Sequence, residues 1–404
     1  RLDDGAGNGA TDSGAAYLLT FTDTDFNGGT LESTIGSGYT GGKDVDVANL
    51  DVDDEFGFSV SLNGAGDRLA VGTKFDDAAG NAAGDSGAAT LFSFTDTDFT
   101  GGTLVSTIGN GYNNGVNNVD ATLDDRDRFG SGVSLNAAGD RLAVGAVTDD
   151  GAGNAANRTG AAYLFSFTDT DFNGGTLEST LGKGYTGGKN LDVANLEDLD
   201  NFGISVSLNG SGDRLAVGAD RDEGAGNGGS FIGAAYLFSF ADTDFNGGTL
   251  ESTIGSGYTG GKNVDLTVLE NFDRFGSSVS LNGAGDRLAV GAPFDAGAGN
   301  AANNSGAAYL FTFSDSDFTG GTLESTIGSG YTGGKDVNVA NLDNQDNFGT
   351  SVSLNGVGDR LAVGAEDDGS ASNAILRSGA AYLFSFTDTD FNGGTLESTI
   401  GSGY

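Results

Sequence analysis

Two short acidic motifs recur along this chain, and both place carboxylates close enough in sequence to share a hard cation. The first is Asp-Thr-Asp-Phe-Asn-Gly-Gly and its variants, with the pairs Asp23 and Asp25, Asp96 and Asp98, Asp169 and Asp171, Asp242 and Asp244, Asp315 and Asp317, and Asp388 and Asp390. The second is Asp-Asp-Gly-Ala-Gly-Asn, with Asp149, Asp150 and Asn154, or Asp3, Asp4 and Asn8. Calcium takes roughly six to eight oxygen ligands, several of them carboxylates, so calcium is the cofactor these spacings could hold. The competing role is a tight turn, in which Asp caps free backbone N–H groups and Gly takes the left-handed positions.

Other chemistries fit less well. Histidine and cysteine are both absent, which removes the commonest general base and all thiol chemistry. Serines are plentiful, but no ordinary triad assembles without histidine. Paired carboxylates can cleave glycosides when one unequal pair sits in a cleft; here the acids recur alike in every copy, which reads as a material and not an enzyme. Tyr185–Lys189 (YTGGK) resembles a phosphate-binding loop until its ends are checked. Lys183 stands where that motif needs glycine, Asn190 follows the lysine, and Val116 replaces the lysine in another copy. With 57 acidic against 18 basic residues, the net charge of −39 disfavours nucleic acid and anionic lipid. No apolar run is long enough to insert in a membrane.

The acids are positioned by a repeat. A Gly-Asp-Arg signature falls at Asp67, Asp140, Asp213, Asp286 and Asp359, always 73 residues apart, and a period of this kind sets the architecture. Five full copies leave residues 1–39, which match 366–404. The units are therefore a partial copy at 1–39 and repeats at 40–112, 113–185, 186–258, 259–331 and 332–404. Both ends fall inside a repeat, so the expectation is a piece of a longer array. The hairpin in residues 1–39 would then be completed by a preceding repeat, from the same chain or an adjacent molecule.

Within each copy the alternation predicts four antiparallel strands and no helix longer than a turn or two. The first is Phe202–Asn209, where Val206 and Leu208 alternate with Ser205 and Ser207. A tight turn at Asn209–Asp213 leads to the second, Arg214–Ala219, whose small residues suggest close approach by a neighbouring backbone. The third, Ala161–Phe167, is nearly all apolar, as a strand covered on both faces should be. The fourth, Thr176–Leu181, is alternating and more polar and suits an outer or edge position. A Gly-rich connection then reaches the next Phe-Gly. A four-stranded sheet of this size cannot bury its own faces, so sheet must pack on sheet. The fold class is all-β, with tandem blades arranged as a propeller or as an open spiral.

The order Phe-Gly, hairpin, Gly-Ala-Pro, then a Gly-x-x-Tyr strand resembles the FG-GAP repeat family. The matching residues are Phe275-Gly276 with Gly291-Ala292-Pro293, and more loosely Phe129-Gly130 with Gly145-Ala146 and Phe348-Gly349 with Gly364-Ala365. The resemblance implies a four-stranded propeller blade like those of integrin α-chains. In bacteria it implies an extracellular or cell-surface location and a structural or adhesive role. The family often carries a calcium loop between Phe-Gly and Gly-Ala-Pro; here that hairpin is reduced to LNGAGDRL, with Asn282 and Asp286 as its oxygen donors. The expected function is a non-enzymatic extracellular structural or adhesive repeat protein that self-associates into a fibre or continues a longer chain. The alternative is a propeller that binds a surface glycan or a protein. A binding module should diverge at loop tips, and the loop after the second strand varies most, at Gly228–Ile232 and Ala374–Arg377.

Overall fold

The computed structural model describes residues 3–113, 117–369 and 377–403; Val116 and most of the variable stretch 374–377 lie outside the described residues. The chain divides into two compact units, residues 1–206 with 241–247, and residues 207–240 with 248–404. The described residues form six sheets, blades of β-propeller type, and every sheet but the last takes its final strand from the start of the next repeat. Helix among the described residues is limited to two three-residue 3-10 turns, Ala152–Asn154 and Ala298–Asn300.

In the first unit, the first sheet joins β1 (Ala15–Thr20) and β2 (Thr30–Gly36) of the partial copy to β3 (Val45–Asp46) from the start of the next repeat. The next sheet runs in chain order through β4 (Ser59–Leu62), β5 (Arg68–Thr73), β6 (Ala88–Ser93), β7 (Thr103–Gly109) and β8 (Val119–Asp120). The third runs likewise through β9 (Phe129–Leu135), β10 (Arg141–Ala146), β11 (Ala161–Ser166), β12 (Thr176–Gly182) and β13 (Leu191–Asp192). The four antiparallel strands fall where alternation placed them. Strand three is buried along five of its six residues, as its apolar run requires.

A short fifth strand lies beyond strand four, which is therefore outer without being the edge. β13 pairs in parallel with β12, Leu181 opposite Leu191 and Gly182 opposite Asp192. Side chains of the connection lace it down. Asn190 Oδ1 accepts the Thr180 N–H at 2.9 Å, and Ser179 Oγ donates to the Lys189 carbonyl at 2.7 Å. Asp192 Oδ1 accepts the Gly184 N–H at 2.7 Å. Two residues are too few for alternation to register, so the connection read as loop.

The Phe-Gly pair is the joint between repeats. Phe129 is fully buried in its own sheet, edge-on to Tyr163 at 5.5 Å and to Phe165 at 6.0 Å. Its backbone bridges Gly87 of the preceding repeat. A Cβ built on Gly87 would lie 2.0 Å from the Phe129 carbonyl oxygen, and one on Gly145 would lie 1.8 Å from that of Gly203. The small residues of strand two are thus explained by backbone meeting backbone. First strands also stack: Ser61 Oγ accepts the Leu135 N–H at 3.0 Å, and Ser59 Oγ donates to the Gly130 carbonyl at 2.9 Å. This packing buries Leu142, Val144, Leu164 and Phe165 completely, worth roughly 1.5–3 kcal/mol for each such side chain.

The second unit repeats the plan. Arg214–Ala219, Ala234–Ser239, Thr249–Gly255 and Val264–Asp265 form successive strands of one sheet. Ser278–Leu281 through Val337–Asn338 form another, and Phe348–Leu354 through Thr395–Gly401 a four-stranded last one. The inter-repeat serines recur there: Ser278 and Ser280 accept the Val352 and Leu354 N–H groups, both at 2.9 Å.

Candidate functional site

The Asp-x-Asp motif closes the hairpin between strands three and four. Asp169 Oδ1 accepts the N–H groups of Asp171 (3.0 Å) and Asn173 (3.2 Å), and its carboxylate also accepts the Asn173 side-chain amide at 2.9–3.0 Å. Phe172 takes a positive φ of 59° and buries its ring against Phe167. These hydrogen bonds favour the charged form, and they hold the Asp169 carboxyl below its usual range. Asp23, Asp242 and Asp388 bond an Asn in the same way, while Asp96 and Asp315 accept from Thr100 and Thr319. The first acid of each pair therefore shapes its own turn.

The second acid reaches the preceding repeat. Arg68 Nη2 meets Asp171 Oδ1 at 2.8 Å while its Nε donates to the Thr170 carbonyl at 2.6 Å. Arg141 holds Asp244 at 2.8 Å within the first unit, and Arg214 holds Asp317 (2.7 Å) and Arg287 holds Asp390 (2.9 Å) within the second. Each arginine leaves a turn organised by an asparagine: Asn136 Oδ1 accepts the N–H groups of Gly139, Asp140 and Arg141. Asp25 and Asp98 occupy the same turn position in the first two sheets. Asn282 and Asp286 of the reduced hairpin hydrogen-bond each other at 2.9 Å. Among the described residues, no three acidic, His or Cys side chains form a metal-ligating group.

The other motif leads to a more unusual environment. Asp149 is 3 % exposed, and its carboxylate accepts from Tyr163 OH at 2.7 Å, Tyr185 OH at 2.9–3.0 Å and the Gly151 N–H at 2.7 Å. Burial still raises its pKa. Asp150 instead accepts the Arg158 N–H at 2.7 Å, and Asn154 reaches Asp124 at 3.0 Å. Beside them lies Asp127, buried two residues before the Phe-Gly; its Oδ2 accepts the Asp124 N–H at 2.7 Å. Desolvation first, and then the charge of Asp149, push its pKa up to about 7. Asp124, Asp125, Asp127, Asp150 and Asn154 line an open cavity of about 490 Å³ with Asn110 and Leu123.

The arrangement recurs. Asp54 rises to about 7 and Asp76 to about 6, both mainly by burial, with Tyr112 OH donating to Asp76 at 2.9 Å. In the second unit Asp273 rises to about 7, close to Asp295, which accepts from Tyr309 and Tyr331. Asp3 holds the equivalent place in the first sheet, accepting from Tyr17 and Tyr39. Sequence reading found Asp149 but missed Asp54, Asp127, Asp273 and Asp346. The available signal was an acid three residues ahead of each, as in Asp124-x-x-Asp127, placed just before the buried Phe.

The FG-GAP repeat profile matches residues 123–165, 195–238, 269–311 and 341–384. The chain carries FG-GAP repeats. No curated protein matches the chain. Each FG-GAP segment runs from the acid pair ahead of Phe-Gly into strand three, so the buried Asp127 and Asp149 lie inside it. The Asp169–Gly175 turn lies outside, as part of what extends this repeat to 73 residues.

Proposed function

We propose that this chain is a non-enzymatic structural or adhesive scaffold, displayed outside the cell on a microbial surface as part of a longer array or filament. One observation carries the reading: the Asp169-type and Asp149-type acids and the Gly-Asp-Arg arginines recur from repeat to repeat, where they are seen bonding within a turn, to a tyrosine or to a neighbouring repeat. An enzyme needs one site unlike the others, with a free acid or base facing a cleft. FG-GAP repeats are typical of extracellular proteins, and among the described residues no helix is long and apolar enough to cross a membrane. The net charge of −39 keeps such a scaffold soluble and attracts cations, calcium included. Immunogold labelling of intact cells, with electron microscopy of the purified protein, tests this. Surface label and extended particles are expected; label confined to the cytoplasm, or turnover of a polysaccharide panel, would sink it.

A second reading, recognition of a glycan, rests on one divergent junction in the second unit. Phe272 is 57 % exposed, at a position where other repeats carry Asp53, Arg126, Leu199 and Gln345. Its ring lies 5.8 Å from that of Phe231, and it lines a cavity of about 360 Å³ with Phe294, Asn271, Asn303 and Asn304. An exposed ring beside amides suits the apolar face and hydroxyls of a sugar. Glycan-array binding that disappears in Phe272→Ala would favour this reading; an empty array would remove it.

A further inference from the structure

An open cavity just ahead of Phe-Gly occurs in each unit, and the two differ in their walls. In the first unit Asp124, Asp125, Asp127 and Asp150 line it. In the second, Glu270, Asn271, Asp273 and Ala296 stand at those positions two repeats on, and Phe272 replaces Arg126. Two acids and a cation have given way to an amide, a methyl group and a ring. The second cavity, about 360 Å³, still falls within the ~300–1,000 Å³ of small-molecule sites.

Two carboxylates line the second cavity, and among the described residues no Lys or Arg does. Asp273 is buried; its Oδ2 accepts the Glu270 N–H at 2.7 Å, and its Oδ1 accepts no hydrogen bond among the described residues. Burial pushes this carboxyl up to about 7, and a cation beside it would favour the charged form. Glu270 is exposed, and its Oε2 is held by the Asn300 side-chain amide at 2.9 Å. Arg274, next in sequence, is already engaged, with Asp220 at 3.7 Å and with the ring of Phe294 at 4.6 Å. Arg221 lies over the Phe231 ring at 5.4 Å. Rings at this junction thus already carry cations on their faces. Phe272 is the ring among them that is mostly exposed.

We propose that the second-unit cavity binds an amino sugar of a glycan, with its ammonium group at Glu270 and Asp273 and its apolar face on Phe272. An ammonium placed there gains from both carboxylates and from the ring quadrupole. The amides serve the hydroxyls. Asn271 Oδ1 accepts the Ser230 N–H at 3.0 Å, which leaves its Nδ2 as a donor, and Asn303 lines the same cavity with an exposed side chain. A lysine side chain would use the acids and the ring but leave those amides idle, which favours the saccharide. The proposal rests on the glycan reading above and names the class of sugar. It gives an adhesive scaffold a ligand.

The test titrates a fluorescently labelled β-1,4-linked glucosamine trisaccharide against the 404-residue chain by anisotropy, with its N-acetylated counterpart as the uncharged match. Physiological ionic strength screens open surface charges beyond roughly 8 Å. The amine form is expected to saturate and to bind about tenfold more tightly than the acetylated form. Binding should weaken by about tenfold in Phe272→Ala and about threefold in Glu270→Gln. Both side chains are exposed, so both variants should keep the parent melting temperature. Asp53→Asn removes one exposed charge at the position of Phe272 in another repeat and should leave binding unchanged; a loss equal to that in Glu270→Gln would reduce the effect to net charge and overturn the proposal. Equal binding of both trisaccharides, lost in Phe272→Ala, overturns the ammonium assignment and leaves the glycan reading standing. Binding of neither, or binding indifferent to Phe272→Ala, removes both. A trilysine peptide that competes as well as the amine trisaccharide assigns the cavity to a cationic peptide and overturns the sugar.

Discussion

Each repeat holds two acidic regions of similar sequence and opposite physics. The Asp169 turn lies in water, its charge satisfied by turn amides and its pKa lowered. The Asp127 and Asp149 pair lies inside, with pKa values raised by the loss of water. A carboxylate in the first place costs little and organises a turn. In the second it is held by tyrosine hydroxyls, and its like-charged neighbour makes ionisation harder still. Acid count alone therefore says nothing about which acids control stability.

The sharpest way to break this contrast is to remove a buried member. Asp149→Ala leaves the hydroxyls of Tyr163 and Tyr185 and the Gly151 N–H without their acceptor, at ~1–3 kcal/mol for an orphaned buried group. We expect a loss of about 3 kcal/mol or more, read as a lower urea midpoint. A midpoint unchanged within error would mean water reaches the site.

The next effect is pH dependence. Asp54, Asp127 and Asp273 have folded pKa values of about 7, and Asp76 and Asp346 of about 6, all above the ~3.9 of an unfolded chain. The unfolded state thus releases these protons first. Their contribution is fully present below the unfolded pKa and is lost as pH rises through the folded values. The melting temperature should fall between about pH 5 and pH 8, and Asp127→Asn should flatten that fall. A melting temperature that climbs across this window would reverse the assignment of these acids as buried.

A smaller effect is expected from calcium. At affinities near ~10⁻⁴–10⁻³ M, millimolar calcium should stabilise by ~1 kcal/mol for each occupied site, more than sodium chloride of equal ionic strength. Loss of that excess in Asp127→Asn would assign it to the buried pair, and loss in Asp169→Asn to the turn. Equal effects of both salts would leave only screening.

The smallest effect belongs to the exposed clamp. Asp171 is 68 % exposed in its pair with Arg68, so Asp171→Ala should cost no more than ~1 kcal/mol. A larger loss would show that the turn acids carry the joint between repeats.

Much of this was legible from residue order. The strands followed from Val206 and Leu208 alternating with serines, and from the apolar Ala161–Ser166 run. Glycines in the second strand pointed to a close backbone approach, and Gly145 against Gly203 is that approach. Nothing local named Asp171 as the partner of Arg68, 103 residues away. The two-residue strand Leu191–Asp192 was too short to show a period. Asp127 was hidden because burial of an acid is a property of its surroundings.

Sequence by itself determined the 73-residue period, the all-β class, the turn chemistry and the absence of histidine and cysteine chemistry. These depend on local alternation, on glycine at left-handed positions and on composition, all of which are written along the chain. Tertiary structure alone decided which acids lose their water and which arginine meets which aspartate. Each of those depends on contacts between residues far apart in the chain, and identical local sequences meet different neighbours: Val60 and Val133 sit in the same pattern, and only one of them is covered.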